Sequence, residues 1–231
     1  MAIVEVGMMR VQTGKTPMDA RSPDGQLLLS AWGAVMGAPG GPQRVCWGTE
    51  LEDASRIWCF FDWEGLEQHA SFAKTFGAEA TQRFGQVFMP GFTKHVHLST
   101  TPLSCPLTEV VLASFPSSIS APQKDVVATR FREFKASALD HCADVRGVSA
   151  GWGHEDDFPV HHRAVGGDSC TMLQEKGCLF FALIGWGGAR ERMAFRDTDV
   201  YKAHIHLLTE MEGCVALSTF HLSCSTLERA R

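Results

Sequence analysis

Ten histidines are the main reservoir of acid–base chemistry in this 231-residue chain, because imidazole titrates near neutral pH without help from its surroundings. His95 and His97 stand two apart in a strand-like stretch, so they share one face with Ser99, while Lys94 and Val96 point the other way. Two imidazoles on one sheet face could serve as a general base and its orienting partner. The competing reading is structural, with each ring bonded to backbone. Trp63 offers a flat apolar wall with one N–H donor, suited to an aromatic or polyene ligand, or else core packing. His69 lies six residues further on, and its direction is not fixed by that spacing. Asp62 reads first as the N-cap of a helix running from Trp63 to Phe76 and second as an acid–base group.

Other segments carry less chemistry. Phe158-Pro159-Val160-His161-His162-Arg163 precedes Gly166-Gly167. Adjacent histidines point apart on extended backbone, so a joint metal site is not expected there. Arg163 would place a cation on a lid or loop. The Gly37–Gly41 stretch lacks the Lys-Ser/Thr of a phosphate loop. No dinucleotide fingerprint occurs either, so no nicotinamide or flavin cofactor is expected.

These residues sit in a pattern written twice. Trp47-Gly48-x-Glu50 recurs as Trp152-Gly153-x-Glu155, and the apolar run ending at Trp63 recurs in kind ending at Trp186. Ser71-Phe72-x-x-Thr75 matches Ala194-Phe195-x-x-Thr198, His97-Leu98-Ser99 matches His221-Leu222-Ser223, and Glu5-Val6 matches Glu109-Val110. The offset grows along the chain, placing an insertion near 157–174 in the second copy. Where the first copy has Asp62 and His95, the second has Gly185 and Thr219. Each copy reads strand, helix, strand, strand, helix, strand. Helices are expected after Asp24 and Pro122, over 64–76 and 78–88, and over 189–195 and 200–211. The order β-α-β-β-α-β is the ferredoxin-like unit. Such a unit has helices on one sheet face only, so an α+β chain with repeats at 1–103 and 104–231 is expected to pack sheet against sheet.

Composition narrows the partners. A net charge of −5 argues against nucleic acid, whose binders cluster Lys and Arg against phosphates. One Tyr against fifteen Phe and six Trp suits an apolar or aromatic small molecule. No segment reads as a secretory signal or a membrane span. Eight cysteines without a C-x-x-C read as reduced thiols of a cytoplasmic protein, with no zinc.

The run from Trp47 through Asp62-Trp63 to His69 resembles dimeric α+β barrel proteins of the antibiotic-biosynthesis-monooxygenase type, especially tandem fungal versions, and the repeat extends the likeness across nearly the whole chain. That resemblance implies cofactor-free oxygenases of aromatic polyketides, polyketide cyclases, lyases, haem-degrading enzymes and non-catalytic members. It also implies that Trp63 borders a substrate cavity. The leading expectation is a cofactor-independent cyclase, lyase or isomerase acting on an apolar polyketide-like intermediate. Its catalytic candidates are His97, His95, His69 and His221, with Trp63, Asp62, Trp186, Phe72 and Arg163 about the substrate. A cofactor-free monooxygenase of phenolic polyketides is the nearest alternative, and a binding protein for an apolar metabolite is the other. Haem ligation is a weaker option, since no haem motif accompanies the histidines. A homodimer of the tandem chain is left open. The first repeat is expected to hold the working site.

Overall fold

The computed structural model describes residues 2–77, 84–160 and 175–229. The insertion expected near 157–174, with Arg163, lies mostly outside these described residues. The strands and helices follow in chain order as β1 (Ile3–Val11), α1 (Pro23–Gly37), β2 (Arg44–Thr49), β3 (Arg56–Trp63), α2 (Leu66–Phe72) and β4 (Phe88–Val96). Next come β5 (Leu107–Pro116), α3 (Ala121–Ser137), β6 (Val145–Trp152), β7 (Phe158–Pro159) and β8 (Lys176–Trp186). The chain continues with α4 (Ala189–Asp197), α5 (Asp199–His204), α6 (His206–Thr209), β9 (Ala216–Leu222) and β10 (Ser225–Glu228).

The chain divides into two compact units, 1–100 with 222–231, and 101–221. The first holds an antiparallel sheet in the order β10-β2-β3-β1-β4, and the second one in the order β6-β8-β5-β9, with β7 beside β8. Without β7 and β10 the two orders are the same, and both are ferredoxin-like. A boundary at 103/104 misses one feature: the last residues return to the first unit, where β10 pairs with β2.

Register confirms the repeat residue by residue. Ile3 faces Trp63 and Glu5 faces Phe61 in the first unit. Leu107 faces Trp186 and Glu109 faces Ile184 in the second. A one-residue slip would turn every side chain to the opposite face, so buried strands hold their register firmly. The recurring Trp-Gly pair has a separate cause in each unit. A Cβ on Gly48 would lie 2.6 Å from the Ser223 carbonyl oxygen, and one on Gly153 would lie 2.2 Å from the Phe158 ring.

Helices pack on one face of each sheet. In the first unit Leu28, Trp32, Val35 and Met36 of α1 join Val45, Trp47, Ile57, Cys59 and Phe61. In the second, Val127, Phe131 and Phe134 of α3 meet Val111, Ala113, Phe115 and Phe180. Each of the Val, Leu, Ile, Met and Phe side chains among them stabilises its unit by about 1.5–3 kcal/mol through burial. Helix starts fall slightly off expectation. Ser22, not Asp24, caps α1, with Pro23 in the first turn. Ser120 caps α3 in a reciprocal box with Gln123. α2 starts at Leu66 behind Gly65, with no side-chain cap, and runs on as a π-helical turn to Gly77. The expected segment over 78–88 is a 3-10 turn at Phe84–Gln86, and Phe88 already belongs to β4; 78–83 lie outside the described residues. The segment over 200–211 is two short helices, α5 and α6.

Candidate active site

Between α1, α2 and the sheet of the first unit lies a cavity of about 150 Å³. Among the described residues its wall is apolar apart from Glu5, His69, Thr93 and the indole N–H groups of Trp32 and Trp63, with no Lys or Arg among them. Alternation along the strands builds this wall. Glu5 of β1 pairs with Phe61 on one side and with His95 of β4 on the other, so all three project to the helix-covered face. Trp63 lies two residues beyond Phe61 and shares that face. α2 then carries His69 back over the sheet.

Four side chains meet there. The Trp63 Nε1–H donates to Glu5 Oε2 at 2.9 Å. His69 Nε2 lies 3.3 Å from the same oxygen, and its Nδ1 lies 2.8 Å from His95 Nε2. The His69 ring is 4.8 Å from both the Trp63 and the His95 ring, centroid to centroid. Phe72 closes the group at 5.2 Å from Trp63. Burial pushes the Glu5 carboxyl up to about 7, with the Trp63 hydrogen bond drawing it partly back. A carboxyl with that value exchanges its proton readily at neutral pH, which suits general acid–base work. The Trp32 Nε1–H, on the same wall, has no hydrogen-bond partner among the described residues.

Several expected residues fall elsewhere. His95 joins the cluster, but β4 ends at Val96, so His97 lies beyond the strand and is exposed. The shared strand face expected for His95 and His97 therefore does not form. Asp62 projects from the face opposite Trp63. It pairs with Arg44 at 3.0 Å and accepts a hydrogen bond from the Thr100 hydroxyl. It neither caps α2 nor lines the cavity; strand parity, not helix capping, sets its direction. Trp186 and His221 belong to the second unit, Trp186 fully buried and His221 half-buried on β9.

Glu5 was legible in the sequence only as a match to Glu109. A glutamate inside an otherwise apolar run is the signal that could have found it, since such residues are almost never fully buried without a partner.

The same position in the second unit is built differently. Glu109 and Arg192 are both buried. The guanidinium Nε–H donates to Glu109 Oε2 at 3.2 Å, and Nη2 pairs with Oε1. Arg192 stands where the repeat places His69, and Thr219 stands where it places His95. The Trp186 Nε1–H, deprived of the carboxylate, has no partner among the described residues.

Among the described residues no three His, Cys, Asp or Glu side chains are grouped to hold a metal ion. The seven described cysteines are free thiols. No described helix is long and apolar enough to cross a membrane.

The fold and site together define an α+β chain of two ferredoxin-like units in one polypeptide, of which the first holds a carboxyl–imidazole–indole cluster on an apolar cavity. Among solved structures, an anthrone oxidase-like protein matches with a TM-score of 0.67 at 12% identity, covering 100% of this chain and 94% of its own. A protein provisionally assigned as a monooxygenase, from Fusobacterium nucleatum, matches with a TM-score of 0.62 at 10% identity, covering 99% and 95%. A chlorite dismutase variant from Candidatus Nitrospira defluvii matches with a TM-score of 0.51 at 11% identity, covering 97% and 91%. At such identities the likeness is one of fold, and the differing names show how many chemistries the fold carries. No protein-family profile and no curated protein matches the sequence.

Proposed function

We propose that the chain is a cofactor-independent enzyme of the monooxygenase type, acting on a neutral, apolar, polyketide-like aromatic compound in the cavity of the first unit. One observation carries the reading: a buried carboxyl with its proton poised near neutrality, hydrogen-bonded by an indole and in contact with an imidazole, faces an otherwise apolar cavity. Among the described residues an acidic substrate would find no Lys or Arg on that wall to offset its charge. A neutral ketone or phenol with an acidic proton suits it.

The chemistry is deprotonation followed by attack on dioxygen. The cluster takes a proton from a carbon beside the conjugated carbonyl, and the carbanion reduces dioxygen to a carbon-bound peroxide. That peroxide regains the proton from the cluster. Loss of a second proton from the same carbon then breaks the O–O bond, leaving a ketone and one water. For a methylene compound the balance is CH₂ plus O₂ to C=O plus H₂O, with no outside reductant. The anthrone oxidase-like neighbour supports dioxygen as the partner. Cyclisation, elimination or isomerisation would use the same deprotonated carbon without dioxygen.

Anthrone, a neutral tricyclic ketone with an acidic methylene, is a suitable probe. With purified protein one O₂ should be consumed per anthraquinone formed, without added flavin, haem or metal. Methylene exchange with no O₂ uptake would favour the cyclase or isomerase reading, and tight binding with neither would favour a carrier.

A further inference from the structure

The histidines of this site invite the role of base, yet the geometry gives them little freedom to fill it. His69 has one ring nitrogen against Glu5 and the other against His95, at 3.3 and 2.8 Å. An imidazole bridged on both sides has no lone pair to turn toward a ligand without breaking one of those contacts. His95 does not line the cavity at all. Glu5 differs. Both the Trp63 indole and His69 converge on its Oε2, while its Oε1 makes no hydrogen bond to any described residue. The Glu5 side chain forms part of the cavity wall.

From this arrangement we infer that Glu5 Oε1 is the atom that takes the proton from the substrate, and that His69 and His95 are positioning residues acting through Glu5 Oε2. The inference rests on the proposed deprotonation but not on the later attack of dioxygen. The transfer itself is simple. The substrate C–H or O–H bond breaks, its proton joins Glu5 Oε1, and the electron pair stays on the substrate as an enolate or phenolate. When the anion is next protonated, Oε1 returns the same proton.

The contacts at Oε2 have a definite part in this. With Glu5 ionised, His69 donates through Nε2 and must accept at Nδ1 from His95 Nε2–H, so one tautomer is fixed for each ring. That directed chain stabilises the carboxylate against burial. Among the described residues Trp63 on β3, His69 on α2 and His95 on β4 are the polar and titratable groups that meet around Glu5, and Cys59 of β3 and Thr93 of β4 share the cavity wall. A neutral substrate is required by the same logic, since an anion would be driven away by the group that must react with it.

Two measurements test the assignment without any oxygen chemistry. In the first, anthrone in anaerobic D₂O is followed by NMR for exchange of its methylene protons. Wild type should speed the exchange, Glu5→Gln should lower the rate on the order of 10²-fold or more, as for removal of a general base, and His69→Gln, which keeps a donor, should lower it far less. His69→Gln should also move the midpoint of the pH profile, which a merely structural role would not do. In the second, 2-naphthol and 2-methoxynaphthalene are compared as ligands of wild type by fluorescence. Naphthol, which can donate to Oε1, should bind about tenfold more tightly, as for a hydrogen bond to a charged group, and Glu5→Gln should remove most of that preference. Equal binding of the two naphthalenes, or no binding of either, overturns the assignment. So does exchange that survives Glu5→Gln but is lost in His69→Gln. Exchange and naphthol preference without O₂ uptake from anthrone would keep Glu5 as the base and remove only the oxygenase reading.

Discussion

The two units carry the same glutamate and the same tryptophan at matching register positions, and they put them to opposite uses. In the first, Glu5 is held by an indole and an imidazole through one oxygen and keeps a proton near neutrality. In the second, both oxygens of Glu109 lie against the guanidinium of Arg192. Arg stays charged at every accessible pH and its planar fork engages a carboxylate on both oxygens. The exchange of imidazole for guanidinium therefore separates a carboxyl with a raised pKa from one held in an ion pair. The orphaned Trp186 N–H marks the cost of the change, since an unsatisfied buried donor costs about 1–3 kcal/mol.

Breaking the ion pair should give the largest effect on stability. Arg192→Met leaves Glu109 buried without a counter-charge and should lower stability by about 3–5 kcal/mol in urea unfolding. Adding Glu109→Leu should restore most of that loss. If the single change is neutral, the second unit is not held by this pair and the contrast weakens.

Installing the second arrangement in the first unit should be nearly as costly, but to activity. His69→Arg should place a guanidinium on Glu5 and reduce proton exchange on the order of 10²-fold or more, with a circular dichroism spectrum like that of wild type. Retained exchange would show that the guanidinium does not reach Glu5.

The pH dependence of stability should follow the same division. Glu5 is raised from 4.5 to about 7 in the folded chain, so below pH 4.5 it is protonated whether or not the chain is folded, and its contribution is fully present. As pH rises toward 7 the unfolded chain gives up this proton first, and stability falls by roughly 3 kcal/mol in total. Glu5→Gln should flatten the slope between those values. A slope unchanged by the substitution would place the buried charge elsewhere.

The smallest effect is expected at His97, exposed beyond β4. His97→Ala should leave stability within about 0.5 kcal/mol and proton exchange close to wild type. A large loss of exchange would return the chemistry to the face first expected for it.

Much of this architecture was legible in the sequence, and the reasons differ from residue to residue. The repeat gave the register of β1 on β3 and of β5 on β8, because a period of two leaves buried strands only one workable alignment. The same period makes Trp63 a cavity wall and turns Asp62 away from it, a consequence obscured by reading Asp62 as a cap. Ser22 and Asp24 are both good capping residues, and only Pro23 in the first turn discriminates between them. The end of β4 at Val96 could not be read, since strand boundaries depend on what pairs alongside. His69 could be named but not aimed, because the turn at Gly65 sets the start of α2 and hence the direction of each side chain on it.

The return of β10 to β2 has a consequence for synthesis on the ribosome. β2 exposes an unpaired edge to solvent until residues 225–228 emerge, long after the rest of the first unit has been made. An open edge of this kind invites pairing with other chains. Assembly of the first unit thus stays incomplete until translation has passed through the entire second unit, and a nascent chain stalled within that unit would present an aggregation-prone strand.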